Sequence, residues 1–478
     1  MPEKTVERAP EKELARALLA QKRAFSEDGE PCCEVRLADL SRLASKIAEK
    51  CDGIADAMNA DFGNRSRHES YVAELYTTLA GIRHIKKNLA SWMKPENRPV
   101  NKVFLPAKAG VRYRARGVAG IISPWNYPFY LAIMPLATAL AAGNRVMLKP
   151  SEEAPATAAL MKEMLSEIFP PERVCTVCGG PEVGAAFSAL PFDILLFTGS
   201  TTVGRHIMTA AAKNLTPVIL ELGGKSPALV GPSADLSLAA DRVALGKAFN
   251  AGQTCVAPDY ALVPRAKVDA FAEKVAAVWR KSYPALADNP DYTSIINQRH
   301  FERINGLLDD AKQKGARIQH INPTNETLYP SRRKIAPTLV LDPTPEMRLM
   351  QEEIFGPILP VVPYGDLSQA VAFINQRPRP LALYVFDSDR KLVEGILSKT
   401  VSGGACVNDV MLHVAQDELP FGGVGESGMG QYHGREGFEA FSHKQAVFWQ
   451  KTPNTQGFLR PPYPRSLMAI LRMLLRWG

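Results

Sequence analysis

Three residue types at three places in the chain can together do covalent chemistry on a carbonyl. Glu221 opens Glu221-Leu-Gly-Gly-Lys225, directly after the apolar run 217–220. A carboxylate at the end of a buried strand is partly desolvated, which disfavours its charged form and makes it a stronger base. A salt bridge, with Lys225 for instance, is the structural alternative. Thirty-four residues on, Gly252-Gln-Thr-Cys255 places a thiol beside a glycine turn. A cysteine close to backbone N–H donors can become a thiolate nucleophile, although most cysteines are inert packing. Asn126 lies in Ser123-Pro-Trp-Asn-Tyr-Pro128, a loop stiffened by two prolines, and its amide can donate to a developing oxyanion.

A second group of residues suits a nucleotide. Lys149-Pro-Ser-Glu152 puts a cation and a carboxylate three positions apart, both able to reach a ribose diol. Glu352-Glu-Ile-Phe-Gly-Pro357 offers another carboxylate beside an aromatic ring. In 194–204 an apolar strand runs into Gly199, then Ser200-Thr-Thr, then a helix carrying Gly204. A helix N-terminus presents free N–H groups and a positive dipole end to a phosphate; a merely capped helix fits the text equally. The spacing Gly423-Val-Gly-Glu-Ser-Gly428 matches G-x-G-x-x-G, but no strand precedes it and no clear helix follows, so an irregular loop is expected there.

The elements that must hold these groups follow from periodicity. Residues 11–94 read as helical, with Leu14, Leu18 and Leu19, then Leu37, Leu40, Leu43 and Ile47 at helical spacing. Short apolar runs at 118–122, 145–148, 173–177, 193–198 and 217–222 alternate with helical stretches such as 154–169 and 202–214. That rhythm predicts βαβ units and a parallel sheet. A second series, with strands at 228–230, 338–340 and 358–362, predicts a second α/β unit and a cleft between the two. Residues 111–116 alternate strictly with a basic face, which suits either a solvated edge strand or an arm toward another subunit.

Composition excludes other classes. Seven cysteines in 478 residues make no disulfide framework. Cys175 and Cys178 have C-x-x-C spacing but no second ligand pair, so no metal is expected, and buried thiols in a reducing cytoplasm are. The charged N-terminus lacks a signal-peptide core. The longest apolar stretch, 130–143, is interrupted by Pro135 and too short to span a bilayer. The net charge is +8, with no basic–aromatic interleaving of a nucleic-acid binder.

Seven motifs in one order carry a resemblance: Pro-Trp-Asn-Tyr-Pro, Lys-Pro-Ser-Glu, Phe-Thr-Gly-Ser-Thr, Glu-Leu-Gly-Gly-Lys, Gly-Gln-Thr-Cys, Glu-Ile-Phe-Gly-Pro and Pro-Phe-Gly-Gly. Over roughly residues 60–445 the chain resembles the aldehyde dehydrogenase superfamily. Val407-Asn-Asp-Val-Met411 and 420–430 are similar to its class 3 branch, whose members act on fatty, aromatic and coniferyl aldehydes. The resemblance implies an NAD(P)-dependent aldehyde dehydrogenase with Cys255 as nucleophile, Asn126 at the oxyanion and Glu221 activating water. It implies Lys149 and Glu152 at the adenosine ribose, Trp125 and Ser200 at the pyrophosphate, Gly199 and Gly204 shaping the turn, Glu353 at the nicotinamide ribose and Phe355 beside the ring. Glu152 opposes a 2′-phosphate, so NAD is expected over NADP, with NADP tolerated. Tyr127 is the candidate substrate contact, with Tyr76 and His413 behind it.

The implied architecture is an α/β fold with cofactor-binding and catalytic domains and a small β oligomerisation arm. The boundaries expected are 1–222 for the NAD-binding domain, with 95–116 in the arm and 411–430 returning to the domain. The catalytic domain is 223–410, a bridging segment 431–450, and a basic tail 451–478. A homodimer is implied. A CoA-acylating or reductive relative, or a non-catalytic binding protein on the same scaffold, are the competing functions. Five of the eight excess charges fall in the last 28 residues, which have no Asp or Glu. Ser466 is placed to cap a helix over 467–477 with Arg465, Arg472 and Arg476 on one side and Trp477 at its end. That is an interfacial helix, or one docked on the protein.

Overall fold

The computed structural model describes residues 9–452, 454 and 460–476. Trp477 and the charged N-terminal residues 1–8 lie outside them.

The chain opens on helices Ala9–Asp28, Cys33–Glu49 and Cys51–Phe62, and reaches Thr77–Trp92 through a one-turn helix and a π-helical turn, Tyr71–Tyr76. Leu14, Leu18, Leu40, Leu43 and Ile47 are buried, as their spacing predicts, but Leu19 turns outward and is exposed. Strands β1 (Glu96–Arg98) and β2 (Lys108–Ala115) follow. Then come β3 (Val118–Ile122), β4 (Arg145–Lys149), β5 (Val174–Thr176), β6 (Ile194–Gly199) and β7 (Val218–Leu222). Every residue of β3 and β4 is buried, which is why these strands read as continuous apolar runs rather than alternating ones. Helix Tyr130–Ala141 is buried on nearly all sides despite Pro135 inside it.

Further strands are β8 (Pro227–Val230), β9 (Tyr260–Pro264), β10 (Arg317–His320), β11 (Thr338–Leu341), β12 (Ile358–Tyr364), β13 (Ala382–Phe386) and β14 (Gly404–Val407). Last come β15 (Gly428–Met429) and β16 (Ser442–Trp449). They form three sheets: β15-β7-β6-β3-β4-β5, β10-β11-β12-β9-β8-β13-β14 and β1-β2-β16. The first two are parallel except at one edge each, where β15 and β10 run antiparallel. In the first sheet β3 has β4 on one side and β6 on the other, so strand order reverses there. Ligands bind outside the carboxyl ends of strands at such a point. The loops leaving it are 123–129, with Trp125 and Asn126, and 199–202, with Gly199 and Ser200.

Three expectations change. Strand β2 is no edge: it pairs with β1 on one side and over eight residues with β16 on the other. The cysteines are not buried thiols either: Cys32 and Cys178 are exposed and the other five partly buried. The tail helix spans Arg465–Arg476, so Ser466 lies inside it rather than capping it. Its Met468, Leu471, Met473 and Leu475 are exposed, Leu475 at 82%, so the helix is not docked over this face. No described helix is long and apolar enough to cross a membrane.

Candidate active site

A cavity of ≈ 930 Å³ opens between the first two sheets, lined from both. Cys255, Glu221, Asn126, Trp125, Gly199, Ser200, Glu353 and Phe355 all contribute to its wall. Eight of the twelve candidate residues, from five separate segments, therefore share one space.

Cys255 follows an uncommon turn. Asn250, Ala251 and Gly252 have φ of 49°, 50° and 73°. The left-handed region costs an ordinary L-residue roughly 1–2 kcal/mol, and only asparagine and glycine enter it readily. Contacts on every side compensate. A Cβ at position 252 would lie 2.3 Å from the carbonyl oxygen of Gly356, so only glycine fits. Gln253, fully buried, donates to the carbonyls of Ser294 and Asn250 (both 3.0 Å) and accepts from Ile296 N–H (3.0 Å). The Asn126 amide donates to the Gln253 carbonyl at 3.2 Å, two residues before the thiol.

Glu221 is the fourth residue of β7 and is 3% exposed. Neither of its oxygens finds a hydrogen-bond partner among the described residues. Burial alone pushes its carboxyl well above the ordinary range. The salt bridge to Lys225 does not form. Lys225 instead pairs with Asp259 and donates to the carbonyls of Leu349 (2.6 Å) and Glu352 (3.0 Å). Asp259 in turn accepts from Ile354 N–H (3.0 Å), so the pair anchors the segment carrying Glu353. That carboxyl rises to about 8 through burial and nearby Asp259. The two glycines after Glu221 make room for it: a Cβ at Gly223 would lie 2.1 Å from Glu353 Oε2, and Gly224 N–H donates to the carboxylate.

Burial, then the charges of Glu353 and Glu221, push the Cys255 thiol up to about 12. Without a compensating cation, the thiol is protonated.

On the cofactor side, Ser200 caps helix Thr201–Ala212 by accepting from Val203 N–H at 3.4 Å. Gly199 is not left-handed; it is small because a Cβ would lie 2.5 Å from the Phe197 ring. Gly204 brings the helix against β7, with Leu222 Cδ2 2.7 Å from a Cβ built there. Lys149 and Glu152 form an ion pair at the end of β4, outside the cavity wall. The Trp125 ring meets Phe355 edge-on at 5.3 Å and His300 at 4.8 Å. Burial lowers His300 to about 4, with help from Arg299 and Arg303.

Tyr127 is buried behind the loop, its hydroxyl sharing a hydrogen bond with Thr254 Oγ1 (2.7 Å). It does not line the cavity, nor do Tyr76, which is exposed, and His413. The apolar wall beside Cys255 is instead Leu131, Phe421 and Tyr432, with the Tyr432 hydroxyl buried and unpartnered among the described residues. Phe421 belongs to the Pro-Phe-Gly-Gly motif; nothing local in the text marks Leu131 or Tyr432. The glycine spacing 423–428 forms a tight irregular turn, with a bridge between Gly425 and Gly428. It packs against β7 through Leu222 N–H, which donates to the Ser427 carbonyl at 3.0 Å.

The family model for the aldehyde dehydrogenase family matches residues 3–447. The coniferyl aldehyde dehydrogenase of Pseudomonas sp. (strain HR199) is 48% identical over 466 residues, 97% of this chain and 96% of that one. Substrate-bound Staphylococcus aureus AldH superposes with a TM-score of 0.91 at 36% identity, covering 96% of this chain and 99% of the other. The Mycobacterium tuberculosis aldehyde dehydrogenase complexed with NAD+ gives 0.83 at 28% identity, covering 92% and 91%. The chain belongs to the aldehyde dehydrogenase family, and is an enzyme of that kind.

With the thiol held up to about 12, about one Cys255 in ten thousand is ionised at pH 8 in the nucleotide-free enzyme. Its alkylation by iodoacetamide, followed by peptide mass spectrometry, should therefore climb through pH 10 without levelling. A plateau below pH 9 would contradict the electrostatics described.

Proposed function

We infer that the protein oxidises an aromatic aldehyde of the coniferyl type to its carboxylic acid, with NAD as the electron acceptor. The observation that carries this is the convergence of Cys255, Asn126 and Glu221 on one cavity, beside an apolar and aromatic wall. The 48% identity to a coniferyl aldehyde dehydrogenase supports the substrate class.

The Cys255 thiolate attacks the carbonyl carbon, and the oxygen becomes an oxyanion accepting from the Asn126 amide and the Cys255 N–H. Loss of hydride from that carbon leaves a thioester on Cys255. Glu221 then takes a proton from water, whose oxygen attacks the thioester; the acid departs and the thiol is restored. Burial raises the Glu221 carboxyl above the ordinary carboxylate range, which makes its charged form a stronger base. These roles favour hydrolysis over transfer to CoA or a binding function.

Bound NAD supplies the hydride acceptor and a positive charge near the thiol. The residues present fit it. The cavity reaches Gly199, Ser200 and Thr201 at the N-terminus of helix Thr201–Ala212, which suits a pyrophosphate, with Trp125 alongside. Lys149 and Glu152 would hold the adenosine ribose, the carboxylate opposing a 2′-phosphate, so NADP is the weaker cofactor. Glu353 would hold the nicotinamide ribose, with Phe355 beside it. In domain terms the first sheet is the cofactor unit and the second the catalytic unit. The three-stranded sheet is the arm of a homodimer.

Replacing Cys255 by Ala should abolish NADH formation and leave NAD binding by calorimetry intact; persistent turnover would remove Cys255 from its role. Glu221→Gln should give a burst of NADH followed by slow turnover, with thioester visible by intact-protein mass spectrometry. Because Glu221 must be charged to act, kcat should fall with acid at a pH above the ordinary carboxylate range, and normal steady-state oxidation by the variant would assign the base elsewhere.

The substrate class is tested by kcat/KM for coniferyl aldehyde, benzaldehyde and a long alkanal. Coniferyl aldehyde should lead the alkanal by about tenfold or more, the size of difference an apolar pocket supplies. Preference for the alkanal would reassign the protein to fatty aldehydes.

We read the exposed apolar face of helix Arg465–Arg476, flanked by arginines, as a peripheral contact of a cytoplasmic enzyme with anionic lipid. Anionic liposomes should sediment the full chain but not one ending before Pro461. Equal behaviour of the two would refute it.

A further inference from the structure

Three charged side chains outside the chemistry above lie behind the two loops that perform it. They occupy residues 65–74, which pass through the one-turn helix Arg67–Ser70 into the π-helical turn Tyr71–Tyr76. Glu69 Oε2 accepts the backbone N–H of Asn250 at 2.9 Å, the first residue of the left-handed turn before Cys255. Arg65 Nη1 donates to the backbone carbonyl of Asn126 at 3.0 Å. Arg65 Nη2 lies 2.8 Å from Glu74 Oε1, both side chains fully buried. The other Glu74 oxygen accepts from Phe129 N–H (2.8 Å) and Tyr130 N–H (3.0 Å), where the Asn126 loop enters its helix. Asn250 links the two halves, its side-chain amide donating to the carbonyls of Asn126 and Gln253, each at 3.1 Å.

Burying charges is a poor route to stability, because desolvation offsets most of the attraction. Here Arg65 and Glu74 are buried and Glu69 is half-buried within ten residues. Apart from the Arg65–Glu74 pair itself and a long contact from Thr293 to Glu69 (3.4 Å), the hydrogen bonds of their charged groups go to the backbone of the two reacting loops. A π-helical turn in the same segment is a further departure from regular structure, of a kind concentrated at functional sites. We propose that Arg65, Glu69 and Glu74 are positioning residues: one clamp, behind both loops, that sets the Asn126 amide against the Cys255 turn. The proposal rests on Cys255 and Asn126 acting as described above.

The test uses the full chain with NAD and aldehyde. Glu69→Ala should lower kcat about 30-fold, the scale on which small misplacements act, with KM for NAD within about twofold. Glu69→Gln, whose amide oxygen can accept the same N–H, should recover to within about threefold of the parent. On an Asn126→Ala background, Glu69→Ala should cost less than about threefold more, because the group it aligns is gone. Parental kcat in Glu69→Ala, no recovery in Glu69→Gln, or equal losses on both backgrounds would each overturn the clamp. If Glu69→Ala fails to fold, Arg65→Lys answers the same question. It keeps the charge beside Glu74 but loses the forked reach to the Asn126 carbonyl, so kcat should fall with KM for NAD unchanged, and an unchanged kcat overturns the clamp. Cys255→Ala run in parallel separates the two ideas: turnover surviving there removes the mechanism itself, whatever Glu69 does.

Discussion

The active site depends on one steric contact, where the backbone at Gly252 meets the backbone at Gly356. Both partners are in unusual conformations. Asn250, Ala251 and Gly252 are left-handed on one side, and Phe355, at φ 51°, on the other. Neither segment would hold that shape alone, since Ala and Phe resist it. Pressed together, with no room for a side chain at 252, each limits the other. Cys255 hangs from the first segment and Glu353 precedes the second. The thiol and the second cavity carboxylate are thus located by the same contact. Strain that persists at a functional site must be over-determined by its surroundings, and Gln253, Asn250 and the Lys225–Asp259 pair supply that determination here.

The two sheets make the contact possible. Glu221 is the last residue but one of β7 in one sheet, while Glu353 lies just ahead of β12 in the other. Gly223 and Gly224, between β7 and β8, are where the chain passes from one sheet to the other. Their lack of side chains lets Glu353 approach to hydrogen-bonding distance of the crossing backbone. The same dipeptide therefore connects the two sheets and admits a carboxylate to the cleft. Shifting β7 by one residue would turn Glu221 to the opposite face of its sheet; the antiparallel pairing of Gly428 with Glu221 holds the register at that point.

Much of this was legible in the amino-acid text, and the division is physical. Buried parallel strands announce themselves as short apolar runs, so β3, β4, β6 and β7 could be placed to within a residue or two. Motifs whose spacing is local, such as Gly-Gln-Thr-Cys or Glu-Ile-Phe-Gly-Pro, could be read without knowing the fold. What depends on long-range approach could not. Tyr127 reads as a substrate contact because it adjoins Asn126, yet its side chain is buried away from the cavity wall and its hydroxyl shares a hydrogen bond with Thr254. Leu131 and Tyr432, three hundred residues apart, form one wall that no local pattern links. Lys225 reads as a partner for Glu221, four residues away; the pairing fails because Asp259 and two carbonyls give its ammonium a more complete shell.

The electrostatics of the cavity follow from Glu221 having no hydrogen-bond partner among the described residues. An isolated buried carboxylate is costly when charged, and here it shares one cavity with Glu353 and a thiol. Three acidic groups in proximity cannot all ionise at once. The resting site is therefore protonated and close to neutral, with Cys255 as thiol, raised to about 12, and Glu353 titrating near 8. A cation entering this cavity would favour the charged form of all three groups: burial raises each of them, Asp259 adds to the rise at Glu353, and Glu353 and Glu221 add to it at Cys255. The thiol is the member of the three that depends on the other two, since Glu353 and Glu221 both oppose its ionisation. Leu131, Phe421 and Tyr432 add to the burial that raises all three groups by giving the same cavity an apolar and aromatic wall.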